Sequence, residues 1–103
     1  MASGNSVHIE GSVKRDASMV EVRPGIKVMD FCLVVDDPMA EGLSVYVDCY
    51  APTDAVNMLD GFVSEGERLG VDGALTFRTV TDRRGARRTG MNVYVENVYE
   101  IGE

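Results

Sequence analysis

The sequence predicts a mainly β protein: a small five-stranded barrel in Greek-key order, with one helix between the third and fourth strands. Three observations predict it. Apolar residues alternate at period two along most of the chain, as on half-buried strands. Only one stretch, within residues 54–69, places apolar residues at helical spacing. Glycine interrupts the first and fourth strand patterns, at Gly11 and Gly73, where a strand must bend to curve round a barrel.

In chain order, residues 1–5 are expected to be a frayed start. Val7, Ile9 and Val13 then share one face of a first strand, with His8 on its polar face and Lys14-Arg15-Asp16 closing it. Residues 19–22 are a short extended piece. Pro24-Gly25 is a turn, because Pro presets φ at its first central position and Gly supplies a positive φ at the next. Phe31, Leu33 and Val35 make one face of the second strand, with Asp30 and Cys32 on the other, and residues 36–42 form a polar loop containing Pro38 and Gly42. Residues 43–50 are the third strand, with Val45, Val47 and Cys49 inward and Tyr46, Asp48 and Tyr50 outward.

The predicted helix covers at most residues 54–69, with Thr53 or Asp54 as its N-cap after Pro52. Val56, Leu59, Phe62 and Val63 give it one apolar stripe, whose role is to seal the core, while Gly61 and Gly66 weaken it. A long fourth strand follows over residues 69–80, with Leu69, Val71, Leu75 and Phe77 inward and Arg78 and Val80 outward. Asp82-Arg83-Arg84-Gly85 turns it into a last strand over residues 89–98.

Composition narrows the function classes. At 103 residues the chain has the size of one domain, spanning 1–103. With 45% hydrophobic and 26% charged residues it reads as globular and not disordered. It has no run of membrane-spanning length and no signal-peptide pattern, so a cytoplasmic protein without membrane contact is expected. Two cysteines without a CxxC pair and a single histidine offer too few ligands for a metal, and no cofactor is expected. Cys32 and Cys49 are expected to be reduced, buried thiols. Triad spacing, a paired-carboxylate site and a phosphate-cradling glycine loop are all missing, which argues against an enzyme.

Charge is unevenly distributed. Between Thr76 and Tyr94, Arg78, Arg83, Arg84, Arg87 and Arg88 face only Asp82, giving +4, while five basic and sixteen acidic groups elsewhere give −11. Guanidinium groups on a projecting hairpin suit the bidentate recognition of phosphate. An overall charge of −7 argues against a general polyanion binder, so a nucleic-acid role has to rest on this local cluster. Tyr46 and Tyr50 add ring faces: residues i and i+4 of a strand stand roughly 13 Å apart on one face, the span of a few nucleotides.

Strand, strand, strand, helix, strand, strand is the order of the OB-fold, which is widely used on oligonucleotides. NSVHIEGSVKRD, KVMDFCLVV and GALTFRTVTDRRGARR, in this order, also resemble the opening strand, second strand and basic hairpin of the bacterial single-stranded DNA-binding proteins. The resemblance covers almost the whole chain. It implies base stacking on aromatic platforms, with Tyr50 at a stacking position that ends the third strand. Ser44 and Val80 stand where the family has tryptophans, Met39 lies near another, and the chain has no Trp. Tyr46 is placed to compensate, although Asp48 beside it repels phosphate. The family's acidic tail is not found after Glu103, so recruitment of partners through it is not expected.

The expected function is therefore sequence-nonspecific single-stranded DNA binding in replication, recombination or repair. Tyr46 and Tyr50 supply ring faces, Arg78, Arg83, Arg84, Arg87 and Arg88 hold phosphates, and Val80 lines the hairpin position. The alternatives are a degenerate OB-fold interaction or assembly module and, third, an RNA binder. The resemblance also implies a homo-oligomer, tetramer or dimer, formed partly through Val7 to Val13.

Overall fold

Period-two alternation produces six strands: β1 (Val7–Val13), β2 (Ser18–Arg23), β3 (Ile26–Asp36), β4 (Ser44–Pro52), β5 (Arg68–Thr81) and β6 (Arg87–Glu100). They come from a computed structural model that describes residues 4–52, 63–81 and 84–101. The strands are ordered β1-β5-β6-β4-β3, and β3 pairs back onto β1, which closes the ring. All neighbours are antiparallel except β4 and β6, which run parallel and register Cys49 with Val93 and Tyr50 with Tyr94. This is the predicted five-stranded OB barrel. The short piece at residues 19–22 proves to be part of β2, which lies outside the ring as a sixth strand hydrogen-bonded to β3, and Gly25 takes the expected positive φ, 80°, in the turn between them.

The inward side chains fill the barrel. Leu33, Cys49, Val63, Leu69, Val71, Val93, Val95 and Val98 are fully buried, with Phe31 beside them and Val7, Ile9, Val35 and Val47 packed at the margin. Burial on this scale supplies most of the drive to fold, at about 1.5–3 kcal/mol for each fully buried Val or Leu. Two glycines make closure possible. At Gly11, β1 passes so close to β3 that a Cβ would stand 2.5 Å from the Val34 carbonyl oxygen. At Gly73 a Cβ would overlap the Tyr94 carbonyl oxygen, and the β5–β6 register shifts there, leaving Glu96 as the extra residue of a bulge.

Three expectations need correction or concern residues outside the described ones. Residues 54–62 of the predicted helix lie outside the described residues, and none of the described ones is helical. Residues 63–67 are a turn: Gly66 has φ 88°, its amide donates to the Val13 carbonyl, and the Glu67 carboxylate accepts from the Ser64 amide. Arg68 and Leu69 already belong to β5. The helical spacing ended at a glycine that a left-handed turn required.

Leu75 and Phe77 have inward parity but are not buried. β1 accompanies β5 only to Gly73, so the β5–β6 ladder continues as a two-stranded arm past the core. On that arm Leu75, Phe77 and Met91 are 42%, 68% and 54% exposed. Asn5, expected to fray, is instead pinned: its side-chain amide donates to and accepts from the Leu75 backbone, at 3.0 and 2.8 Å.

His8 is exposed, as its strand position predicts, and gathers partners that only the β1–β5 register brings to it. Its Nδ1 lies 2.6 Å from Asp72 Oδ1 and its Nε2 lies 3.0 Å from Glu10 Oε2, while its ring stacks against Tyr99. Hydrogen bonding to Asp72 first, and then to Glu10, raises the imidazole pKa above its ordinary value. The contact with His8 lowers that of Asp72. The raised His8 pKa means that its stabilising contribution is complete below the unfolded value and disappears as pH climbs through the folded one. The lowered Asp72 pKa confines the other limit to acid.

Two outcomes test this description. Gly73→Ala should lower unfolding free energy by about 1–3 kcal/mol in urea titrations, whereas Gly90→Ala, whose Cβ meets nothing within 4 Å, should change it little. Equal effects would show that β5 does not approach β6 closely at Gly73. In an NMR titration the His8 ring should show a midpoint above its ordinary value of about 6.5, and Asp72→Asn should bring it down. A midpoint indifferent to that substitution would remove the pairing.

Candidate nucleic-acid interface

Alternation along β4 sets Val47, Cys49 and Ala51 toward the core and Ser44, Tyr46, Asp48 and Tyr50 outward, while Val45, expected inward, is 41% exposed near the start of the strand. The outward row is flanked by β3, where Val34 stands opposite Tyr46, Cys32 opposite Asp48 and Asp30 opposite Tyr50, and by β6, where Tyr94 neighbours Tyr50. Both predicted tyrosines therefore share one face, with Asp48 between them.

Tyr46 is 60% exposed, and the Lys14 ammonium sits 4.3 Å from its ring centroid. At that distance the cation is attracted to the ring face, and it brings a positive charge to an aromatic surface still largely open to solvent. Tyr50 is half-buried and meets Tyr94 at 6.0 Å between centroids and 73° between planes, an edge-to-face pair that fixes both rings. Tyr94 itself remains 40% exposed. Three phenols and one ammonium thus line a strip across β4 and β6.

Tyr94 and Lys14 escaped the sequence reading for different reasons. Tyr94 alternates with Val93 and Val95, which marked it as outward, but only the parallel β4–β6 pairing sets it beside Tyr50. Lys14 lies just beyond β1, and nothing in its local sequence indicates which ring it will cover.

The arginine positions are spread along the arm. Arg78 registers with Gly90, Val80 with Arg88 and Thr81 with Arg87 on the β5–β6 ladder. Arg84 and Arg87 are exposed, and Arg83 lies outside the described residues. β4 and β6 run in the same direction, so the arm leading back from Tyr94 toward Arg87 points the same way as β4 leading back from Tyr50 through Tyr46. Lys14 marks that same end, where the β3–β4 connection also brings Asp36, Asp37 and Glu41.

The two thiols lie on opposite faces of the sheet and are both buried and free, as expected. Burial raises the pKa of each, Cys49 to about 12, so neither supplies a thiolate nucleophile at neutral pH. Among the described residues, no three His, Cys, Asp or Glu side chains come together as metal ligands, and no helix is long and apolar enough to cross a membrane.

Comparison with known proteins agrees with this architecture. The sequence model of the single-strand binding protein family matches residues 4–101. Among solved structures, the dimeric N-terminal domain of PriB from Thermoanaerobacter tencongensis superimposes with a TM-score of 0.73 at 17% identity, covering 98% of this chain and 100% of that one. The Plasmodium falciparum SSB in complex with ssDNA superimposes with a TM-score of 0.74 at 16% identity, covering 99% of this chain and 98% of that one. No curated protein matches the sequence.

Proposed function

We propose, from the premise that this chain belongs to the single-strand binding protein family, that it binds single-stranded DNA by stacking bases on tyrosines and holding phosphates with the cationic arm. The observation that carries this reading is the strip of Tyr46, Tyr50 and Tyr94 across β4 and β6, exposed enough to offer ring faces and held in place by strand pairing. Stacking on aromatic rings tolerates any base, so it suits a protein that must cover unpaired strands regardless of sequence. The activity is binding without catalysis, and replication, recombination and repair are the processes that expose such strands.

Lys14 and the positions Arg78, Arg83, Arg84, Arg87 and Arg88 supply the counter-charge on a chain that is otherwise strongly acidic. Binding therefore falls with salt through counterion release. The exposed Leu75, Phe77 and Met91 on the arm favour a second reading, a barrel kept as a protein-interaction module.

Assembly into a homo-oligomer belongs to the same proposal. β1 pairs with β5 along residues 7–12 but with β3 only at Ser12 and Val13, so among the described residues the other edge of Val7 to Glu10 has no strand paired with it. An unpaired edge of this kind invites the same strand of a second copy across a two-fold axis.

Titrating oligo-dT against salt tests the binding mode. Replacing Arg83 and Arg84 by alanine should reduce the slope of log affinity against log salt by about 1.4, the amount for two phosphate contacts to a single strand. Tyr50→Ala should weaken binding by about 1–3 kcal/mol at every salt concentration without altering the slope. Parent protein that binds no oligomer at low salt would leave the interaction module as the better reading. Light scattering should find a dimer or tetramer, and a monomer at high protein concentration would remove the edge-pairing proposal.

A further inference from the structure

The row of tyrosines proposed to stack bases carries an acid. Asp48 stands between Tyr46 and Tyr50 on the outward face of β4, its side chain is exposed, and it lies opposite Cys32 on β3. A carboxylate there repels phosphates, while Lys14 over Tyr46 and the exposed Arg84 and Arg87 of the arm attract them. A strand lying along β4 consequently turns its phosphates away from Asp48, toward Lys14 and the arm, and its bases toward the row that holds Asp48.

With bases facing it, the carboxylate discriminates among them. An ionised Asp accepts hydrogen bonds and donates none. The N4 amino group of cytosine donates to such an acceptor, whereas thymine presents the O4 carbonyl at the same ring position, as uracil also does, and sets lone pairs against lone pairs. Two residues along a strand amount to roughly 7 Å, so Asp48 is within reach of the edge of a base stacked on either tyrosine.

We infer that Asp48 is a specificity-determining residue, which makes this face favour bases carrying an exocyclic amino group over thymine and uracil. The inference rests on the single-strand binding proposed above and adds to it which base edge this face prefers. It requires no sequence motif: every amino-bearing base satisfies the same acceptor, and the selectivity is a bias in composition.

Competition between oligo-dC and oligo-dU of equal length provides the test, at mildly alkaline pH where cytosine stays unprotonated. Both are single-ring bases on the same backbone, so stacking area and counterion release are matched and the difference lies at the base edge. The parent is expected to bind oligo-dC about fivefold more tightly, the worth of one net hydrogen bond. Asp48→Asn, which adds a donor for O4, and Asp48→Ser, which removes the charge, should each bring the ratio near one and tighten oligo-dU. Oligo-dU bound as well as oligo-dC by the parent, or a preference that survives both substitutions, overturns the inference and leaves single-strand binding standing. Parent protein that binds neither oligomer overturns both.

Discussion

Closure of the barrel through β1 is the constraint from which the remaining geometry follows. One strand has to pair with β5 along its length and still reach β3 at Ser12 and Val13, and it does so only because Gly11 lets the Val34 carbonyl come within the space of a side chain. Once the ring is shut, the inward row of every strand is committed to a core filled by Leu33, Leu69, Val71, Val93, Val95 and Val98. The outward rows hold the exposed Tyr46 and Asp48 as well as the buried Cys32. The parallel contact of β4 with β6, which sets Tyr50 beside Tyr94, exists because the ring leaves those two strands as neighbours.

The same closure explains the arm. β5 and β6 are each 14 residues long, longer than the strands that flank them, and where β1 stops at Gly73 the hairpin loses its support. Apolar residues that would have lined a longer barrel, Leu75, Phe77 and Met91, are left open on one side of the ladder. Arg78, Arg87 and Arg88 register on this ladder beyond Gly73. In the proposed binding mode they give a net-negative chain a local positive field, which matters more than total charge for contact with a phosphate backbone.

Along the outward row of β4 and its neighbour Tyr94, charge and aromatic surface are interleaved. An ammonium lies over one ring, a carboxylate sits between two rings, and an edge-to-face pair closes the row. In the proposed binding mode each element acts on a different part of a nucleotide: the rings on its faces, the cations on its phosphate and the acid on its base edge. Tyr50 and Tyr94 meet edge to face, and in the proposed binding mode a ring fixed by its neighbour loses less freedom when a base settles on it.

Features that depend on near neighbours in the chain were legible in the sequence. Alternation assigned Tyr46, Asp48 and Tyr50 to one face and Cys49 to the other; Pro24-Gly25 marked its turn; Gly11 and Gly73 marked the bends; and the order of elements identified the barrel. Features that depend on what lies across the sheet were not. The apolar pattern through Leu75 and Phe77 reads the same whether or not β1 continues beside it, the spacing up to Leu69 looks helical until Gly66 is seen in a left-handed turn against β1, and no local signal brings Lys14 over Tyr46 or Asp72 to His8. A residue's own sequence neighbours dictate which way its side chain points, but burial, charge partners and ring contacts are set by strands distant in the chain, and those meet only when the ring closes.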